Sequence, residues 1–515
     1  MRLLVLNFTR LGDLLQSQPA LAELAEAGHT VALACLENFA EAATLLPGAS
    51  RIFPLPGAKL LAGLAGNWPE ALALVTVFAD RVAREFAPET VVNLTPAVSA
   101  RLLARRLGGD AVRGFGLDPL GFRLETTPWA VFLEASSANR GLSPFNIVDL
   151  FRKAAGGGRG RGLFALRRPD ALALAAGAER LGQVPAANGY VGLQLGASAA
   201  ARQWPVTAFA RLGDLLWQQL GIVPVLLGGP GETALAAAYQ RQAAGPSVDL
   251  IGRTSLPELA AVLVSLRLLV TNDTGTLHLA AGLDVPSVSL FLATAQPCDT
   301  GPYRPGCLCL EPDMPCHPCP FGTACPRENA CLQAIGPDTV FGAVADFVRT
   351  GTFSARSYPG ARAWLSVFDA EGFMDLLPLS GHDAEPRAVW LRLERQVLRQ
   401  FLDEKDPETV AGGAPPLPDA VRSSLVTCLE QSTTLLELLS GQARLLARTP
   451  AMKSRFLGTW ERVRHLWLAS PHLAVLGHLW QRQAQDPGSD LPTLLARIGR
   501  YASCISAFRQ SIGHV

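Results

Sequence analysis

The sequence predicts an α/β protein of two successive doubly wound domains on parallel sheets, followed by an all-helical extension. Three observations carry this. Short apolar runs alternate with helical stretches of ten or more residues over the first 350 positions, the pattern of a parallel sheet covered by helices. That alternation breaks and restarts near residue 186. Beyond residue 385 only helical spacing remains.

In chain order, RLLVLNF reads as the first strand, Asp13 to Ala27 as a helix and HTVALAC as a strand. Asn38 to Leu46 reads as a helix, ETVVNL as a strand and Ala97 to Leu107 as a helix. The glycine run from Gly156 is a break, and RRPDALALAAGAERLG is a helix closing a first domain over 1–185. A second domain, 186–352, holds strands in YVGLQLGAS, GIVPVLLGG, SVDLIG, LLVTN and PSVSLF. Its helices are Val206 to Gln218, Glu232 to Ala244, Ser255 to Ser265, Thr274 to Ala281 and a closing Pro337 to Thr350. Residues 353–384 read as an irregular linker. Residues 385–515 read as a helical extension, with helices at Pro386 to Leu402, Ala420 to Leu446, Ser454 to Leu468 and Leu491 to Arg509. The breakers VAGGAPPLPD and QDPGSD separate them. This extension carries no recognisable chemistry and is assigned to docking or oligomerisation.

The totals exclude several classes. At 515 residues the chain exceeds one core, and 49% hydrophobic against 17% charged residues is a globular composition. Lys and Arg (45) nearly cancel Asp and Glu (44), so net charge points to neither nucleic acid nor a membrane surface. MRLLVLNFTR runs straight into a buried strand without a cleavage site, and no membrane span is expected. The expected location is cytoplasmic, with any contact to the inner membrane peripheral.

Ligands of doubly wound sheets bind beyond the carboxyl ends of strands, and four such turns carry polar groups. In NFTRLGDLLQSQPAL, Gly12 allows a close turn and Asp13 stands at a helix N-terminus, where the dipole favours its carboxylate. A plain N-cap is the competing reading. In GASAAARQWP, Ser198, Arg202 and the amides before Pro205 suit a phosphate, against a capped turn with a solvated arginine. In LLGGPGE, Glu232 suits ribose hydroxyls, or closes an ordinary turn. The most specific turn is VTNDTGTLHLAAGLDVPSV. Asp273 ends a strand, Thr274 can cap a helix, Gly275 and Thr276 present bare amides, and His278 lies one turn in on the side of Thr274. Such a cluster makes an anion site able to take a diphosphate.

Seven of the ten cysteines fall between Cys298 and Cys331. Within that loop, 298–331, Cys316-x2-Cys319-x5-Cys325-x5-Cys331 is spaced by Pro and Gly and can close on a structural zinc or iron. Free loop thiols are the alternative, and Cys307 and Cys309 are reserve ligands.

RLGDLLQSQPAL, GAS with RQWP, GGPGE and NDTGTLHLAA, in that order, resemble glycosyltransferase family 9, whose members include the ADP-heptose:lipopolysaccharide heptosyltransferases. The resemblance spans about residues 1–350. It implies a GT-B fold of two Rossmann-like domains, with the acceptor side in 1–185 and the donor in 186–352. It implies inverting, metal-independent transfer of a heptose or similar sugar from an ADP-sugar to a glycan or lipid-linked glycan such as lipopolysaccharide core. It further implies Asp13 as general base, Ser198, Arg202, Thr274 and Gly275 on phosphate, Glu232 on ribose, and Asp273 and His278 near the sugar. No catalytic cofactor is implied, although related autotransporter heptosyltransferases hold a structural iron in a similar cysteine set. The chain departs from the family in having Arg202 in place of Lys, in Phe291 to Thr294 reading F-L-A-T in place of F-G-x-T, and in its helical extension. Two alternatives stay open: the same fold using another nucleotide sugar or a protein acceptor, and an inactive metal-stapled assembly protein.

Overall fold

The computed structural model describes residues 1–137, 143–158, 162–407, 417–446, 449, 451–483 and 490–513. The expected breaks at 156–162, 410–419 and 485–490 therefore lie partly outside the described residues. The chain forms two compact units, Met1–Leu117 with Phe145–Ser380, and Asp118–Pro144 with Gly381–Val515.

The first unit holds two doubly wound layers. In one, β1 (Arg2–Asn7), β2 (Thr30–Leu36), β3 (Arg51–Leu55), β4 (Thr90–Asn93) and β5 (Val112–Leu117) lie in the order β3-β2-β1-β4-β5, all parallel. Leu3 to Leu6 are wholly buried, because a central parallel strand is covered on both faces and so reads as an unbroken apolar run. β6 (Arg123–Glu125) belongs to the second unit.

The other layer contains β7 (Tyr190–Gln194), β8 (Val223–Leu227), β9 (Val248–Asp249), β10 (Leu268–Asn272), β11 (Ser287–Leu290), β12 (Leu308–Pro312), β13 (Ala361–Phe368) and β14 (Met374–Pro378). Their order is β14-β13-β12-β11-β10-β7-β8-β9. The strands from β7 to β12 pair in parallel, and β13 and β14 add antiparallel. Strand order reverses between β1 and β4 and again between β7 and β10, and the crevice at such a reversal is where these sheets bind ligands.

The expected boundaries change in four places. The stretch 353–384 is no irregular linker, since it supplies β13 and β14. Its alternating ARAWLSVF pairs with β12, and the Trp364 indole donates to Glu311 Oε2 at 2.8 Å. Residues 118–144 leave the expected first domain for the helical unit. The helix Ala171–Gly182, expected to close the first domain, packs on Leu256–Val264 of the second layer, with Gly177 against Ala261. The helix expected over Asp13 to Ala27 is two helices, Leu11–Gln16 and Gln18–Glu26, divided at Ser17. Pro19 lacks the N–H a continuous helix would use there, and the Ser17 hydroxyl bonds back to the Leu14 carbonyl at 2.6 Å.

A buried ionic knot ties helix Ile147–Ala154 to the second layer. Arg152 donates to Glu23 Oε1 at 2.6 Å, to Asp149 Oδ1 at 3.0 Å and to the Tyr303 hydroxyl at 2.9 Å. Asp149 also accepts the Met374 amide at 3.0 Å and the Tyr303 hydroxyl at 2.6 Å. Burial, then the adjacent Asp149 carboxylate, pushes the Tyr303 hydroxyl far up from its ordinary titration range.

The second unit contains the helices Pro128–Ser137, Pro386–Leu402, Asp419–Leu445, Met452–Ala469, Ala474–Gln483 and Leu491–Gly513. Four helices were expected in the extension, and Ala474–Gln483 is additional. Its core is aromatic. Trp460 and Trp480 stack at 3.8 Å, and Trp467 stacks on Tyr501 at 5.4 Å. The Trp467 indole N–H finds a partner in the Ser432 hydroxyl at 2.8 Å and that of Trp129 in Asp403 at 2.8 Å, whereas Trp460 Nε1 is buried with none among the described residues.

Candidate active site

The site is assembled from the turns that follow β1, β7, β8 and β10. After β1, the fully buried Asn7 organises the chain. Its Oδ1 accepts the Thr9 amide and hydroxyl, and its Nδ2 donates to the Asp13 carbonyl at 3.2 Å. Asp13 sits half-buried in the first turn of Leu11–Gln16. It is the third helical residue and not the cap; that position is Arg10, which makes no side-chain cap bond.

This turn packs against the helix that follows β10. A Cβ on Gly12 would lie 2.8 Å from His278 Cδ2 and 3.6 Å from the Gly275 Cα, and one on Gly275 would lie 3.2 Å from Leu11 Cδ2. Two glycines therefore allow the helix carrying Asp13 to abut the N-terminus of Gly275–Gly282. His278 is buried in that seam.

Thr274 holds the N-cap position of Gly275–Gly282, but its side chain makes no cap bond and meets the Thr271 hydroxyl instead at 3.2 Å. The reading of Thr274 as a side-chain cap is thus corrected. The Leu277 amide turns back to the Thr274 carbonyl at 3.1 Å, while the Gly275 and Thr276 amides meet no acceptor among the described residues, which suits an incoming anion.

The loop after β7 is held from below by residues outside the expected set. Asn272, fully buried, donates to the Leu195 and Gly196 carbonyls at 3.2 and 3.0 Å and accepts the Trp204 amide at 3.0 Å. The Trp204 indole donates to the Ile335 carbonyl at 2.9 Å. Arg202 is thereby presented beside the β10 turn. Its Nε donates to Thr294 Oγ1 at 2.7 Å, its Nη1 lies 3.6 Å from Asp273 Oδ2, and its guanidinium lies over the Phe321 ring at 5.3 Å. The F-L-A-T departure keeps the threonine that holds Arg202, while Leu292 is buried and Ala293 takes the left-handed backbone at φ 53°.

After β8, Glu232 Oε2 accepts the Gly229 amide at 2.8 Å and the Gln194 side-chain amide at 3.3 Å. A Cβ on Gly196 would fall onto this carboxylate, so the glycine is required by the close approach. Gln194 Oε1 in turn accepts the Thr276 hydroxyl at 2.9 Å, linking Glu232 to the β10 helix. Of the expected residues, Ser198 stands apart: it is exposed and makes no hydrogen bond to another described residue. The positioning residues Asn7, Gln194 and Asn272 were missed. Their signal is a carboxamide at the last position of a strand, a group able to donate to one loop and accept from another.

Cys316, Cys319, Cys325 and Cys331 share one electrostatic neighbourhood. Burial and then Cys331, Cys316 and Cys325 push the Cys319 thiol up, and burial likewise raises Cys331. Such mutual penalties are what a coordinated cation removes, so the donor set suits zinc or iron. The shell is open: among the described residues no three of these sulfurs lie within 4.8 Å of one another. The reserve residues Cys307 and Cys309 are buried apart, near Cys298.

Two doubly wound layers whose strand-end turns meet around a bare helix N-terminus are the architecture of the GT-B glycosyltransferases. The fold of a family 9 glycosyl transferase from Veillonella parvula agrees, with a TM-score of 0.54 at 18% identity over 68% of this chain and 97% of that one. Residues 162–329 match the family described as glycosyltransferase family 9 (heptosyltransferase). Lipopolysaccharide heptosyltransferase 1 of Pseudomonas aeruginosa is 27% identical over 336 residues, covering 62% of this chain and 86% of the relative. Its namesake in Salmonella typhimurium is 24% identical over 322 residues, covering 60% and 90%. Through residues 162–329 and these relatives, the chain is similar to the heptosyltransferases of glycosyltransferase family 9. No helix of the described residues is long and apolar enough to cross a membrane.

Proposed function

We propose that the chain moves a heptose or similar sugar from an ADP-activated donor to a cell-surface glycan such as lipopolysaccharide core, with inversion and without a catalytic metal. The observation that carries this reading is the seam of Gly12 on His278, which brings the Asp13 turn against the uncapped N-terminus of Gly275–Gly282. The heptosyltransferase names of the sequence relatives support the sugar and the acceptor class.

The Asp13 carboxylate takes the proton of an acceptor hydroxyl as that oxygen bonds to the anomeric carbon. The bond from that carbon to the diphosphate breaks on the opposite face, and the nucleotide leaves with the electron pair. Base assistance of this kind contributes about 10²–10⁴-fold. Arg202 and the amides of Gly275 and Thr276 meet the charge that develops on the diphosphate. Thr274 borders the same anion, His278 and Asp273 lie on the sugar side, Glu232 meets the ribose, and Ser198 reaches a phosphate oxygen only if its loop folds inward on binding. Cys316, Cys319, Cys325 and Cys331 would hold one structural zinc or iron, whose chemistry here is to neutralise four thiolates and fix the loop.

Purified protein incubated with ADP-heptose and heptose-deficient lipopolysaccharide tests the reading. Transfer with release of ADP is expected. Transfer only from other nucleotide sugars, or only to a protein, selects the first alternative; donor binding with no turnover on any acceptor selects the assembly protein. Elemental analysis of protein prepared without chelators tests the cysteine site, and less than about a tenth of an equivalent of zinc plus iron in normally melting protein would contradict it.

A further inference from the structure

We propose that the cysteine loop is a positioning element of the nucleotide site, acting on Arg202 through Phe321 and Thr294; the inference rests on the donor-site reading above. The loop grips the turn after β11 at two points. The Ala293 carbonyl accepts the Cys319 amide at 2.8 Å. The Ala295 carbonyl meets His317 Nε2 at 3.1 Å, and His317 is backed by Glu311 at 3.3 Å. Thr294 lies between these two gripped residues, and its hydroxyl is what Arg202 Nε donates to.

The same loop then reaches over the guanidinium itself. Phe321 lies two residues past Cys319 and places its ring 5.3 Å from the Arg202 Cζ, while remaining 41% exposed. A ring that served only the core would be covered; this one is spent on one face of a cation. Arg202 is therefore held on three sides: by Thr294 along its Nε edge, by Asp273 at Nη1, and by Phe321 on its face. Arginine suits this arrangement where lysine would not, because only a planar guanidinium can stack and donate in fixed directions at once. The Arg202 departure and the aromatic residue of the loop thus explain each other. A cation so fixed loses less freedom on meeting a diphosphate, which is the physical basis of preorganised binding.

Phe321 is a positioning residue, since the diphosphate meets Arg202 and not the ring. Calorimetric titration of ADP and of adenosine into wild type, Phe321→Ala, Phe321→Trp and Thr294→Val tests this. Phe321→Ala should weaken ADP about three- to tenfold, the range expected for a partly exposed cation–π contact, with adenosine affinity and melting temperature unchanged. Phe321→Trp should restore ADP affinity, and Thr294→Val should weaken ADP but not adenosine. ADP binding by Phe321→Ala equal to wild type overturns the proposal, and so does an equal loss of ADP and adenosine, which would mark a merely structural role. A wild-type chain that binds no ADP overturns the donor-site reading, and this inference with it.

Discussion

The two units bury polar groups to opposite ends. In the α/β unit, buried carboxamides end the central strands: Asn7, Gln194 and Asn272 each reach out of the sheet to hold a loop in place. In the helical unit, paired polar groups are consumed inside the unit, and Trp460 Nε1 and Gln442 Oε1 are buried without a partner among the described residues. Ser432 takes the Trp467 indole, Asp403 takes the Trp129 indole, and Glu134 is held by Arg123 and Arg482, both at 3.2 Å. The difference teaches where to look for chemistry. Polar side chains that orient backbone amides toward a crevice build a site, whereas those that satisfy one another in an aromatic core only fix helices.

That contrast breaks most visibly under truncation. Removing residues 381–515 alone strips the partners of Trp129, Phe132 and Leu133, which are buried within the second unit. The truncated chain is expected to aggregate. Replacing 118–144 by a short Gly-Ser linker in the same truncation should restore solubility and ADP binding. Measured by size-exclusion chromatography, equal behaviour of the two would show that the insertion belongs with the α/β unit after all.

Next in size is Arg152→Leu. It leaves Glu23 and Asp149 without their buried counter-charge, a loss of about 3–5 kcal/mol for a broken buried pair. Urea unfolding should show it as a shifted midpoint with little change in slope. A wild-type midpoint would remove the ionic knot from the account of the fold.

Much of the fold was legible because parallel strands announce themselves locally. Leu3 to Leu6 and Val223 to Leu227 are apolar runs with turn residues behind them. The four motif turns were legible for the same reason, since each follows directly on a strand. What escaped depends on distant partners. Trp129 to Ala135 is buried on nearly every side, so it has no polar stripe to betray which core it joins. β13 was hidden by the Gly, Pro and Ser around it, and its status as a strand comes from pairing with β12, some fifty residues earlier. Asn7, Gln194 and Asn272 escaped because a terminal carboxamide reads as an ordinary strand end until its loop partners are seen.

Arg202→Ala sharpens the comparison at the site itself. Losing a charge-assisted contact of about 1.5–3 kcal/mol should weaken ADP by about ten- to a hundredfold at low salt. The deficit should shrink as salt screens the wild-type contact. Calorimetry that finds the same ADP affinity in both proteins at low salt would remove Arg202 from the anion site.

The smallest effect belongs to Glu394 in the helical unit. Burial pushes its carboxyl well up, so the folded state holds a proton that the unfolded state releases in the ordinary carboxylate range. Its contribution is fully present below that unfolded value and is lost progressively as pH rises toward the folded one. Glu394→Gln, neutral at every pH, should therefore raise the melting temperature of the unit at pH 8 and leave it nearly unchanged at pH 4. A stabilisation that is equal at both values would contradict a protonated Glu394.

The central claim is that the turn after β1 acts on the acceptor while the turns after β7 and β10 hold the nucleotide. Asp13→Asn separates the two. Its ADP dissociation constant and its turnover with saturating ADP-heptose and acceptor should be measured on the same preparation. The account predicts ADP affinity close to wild type with turnover down by at least about a hundredfold, the loss expected when a general base is removed. Wild-type turnover in Asp13→Asn would contradict it.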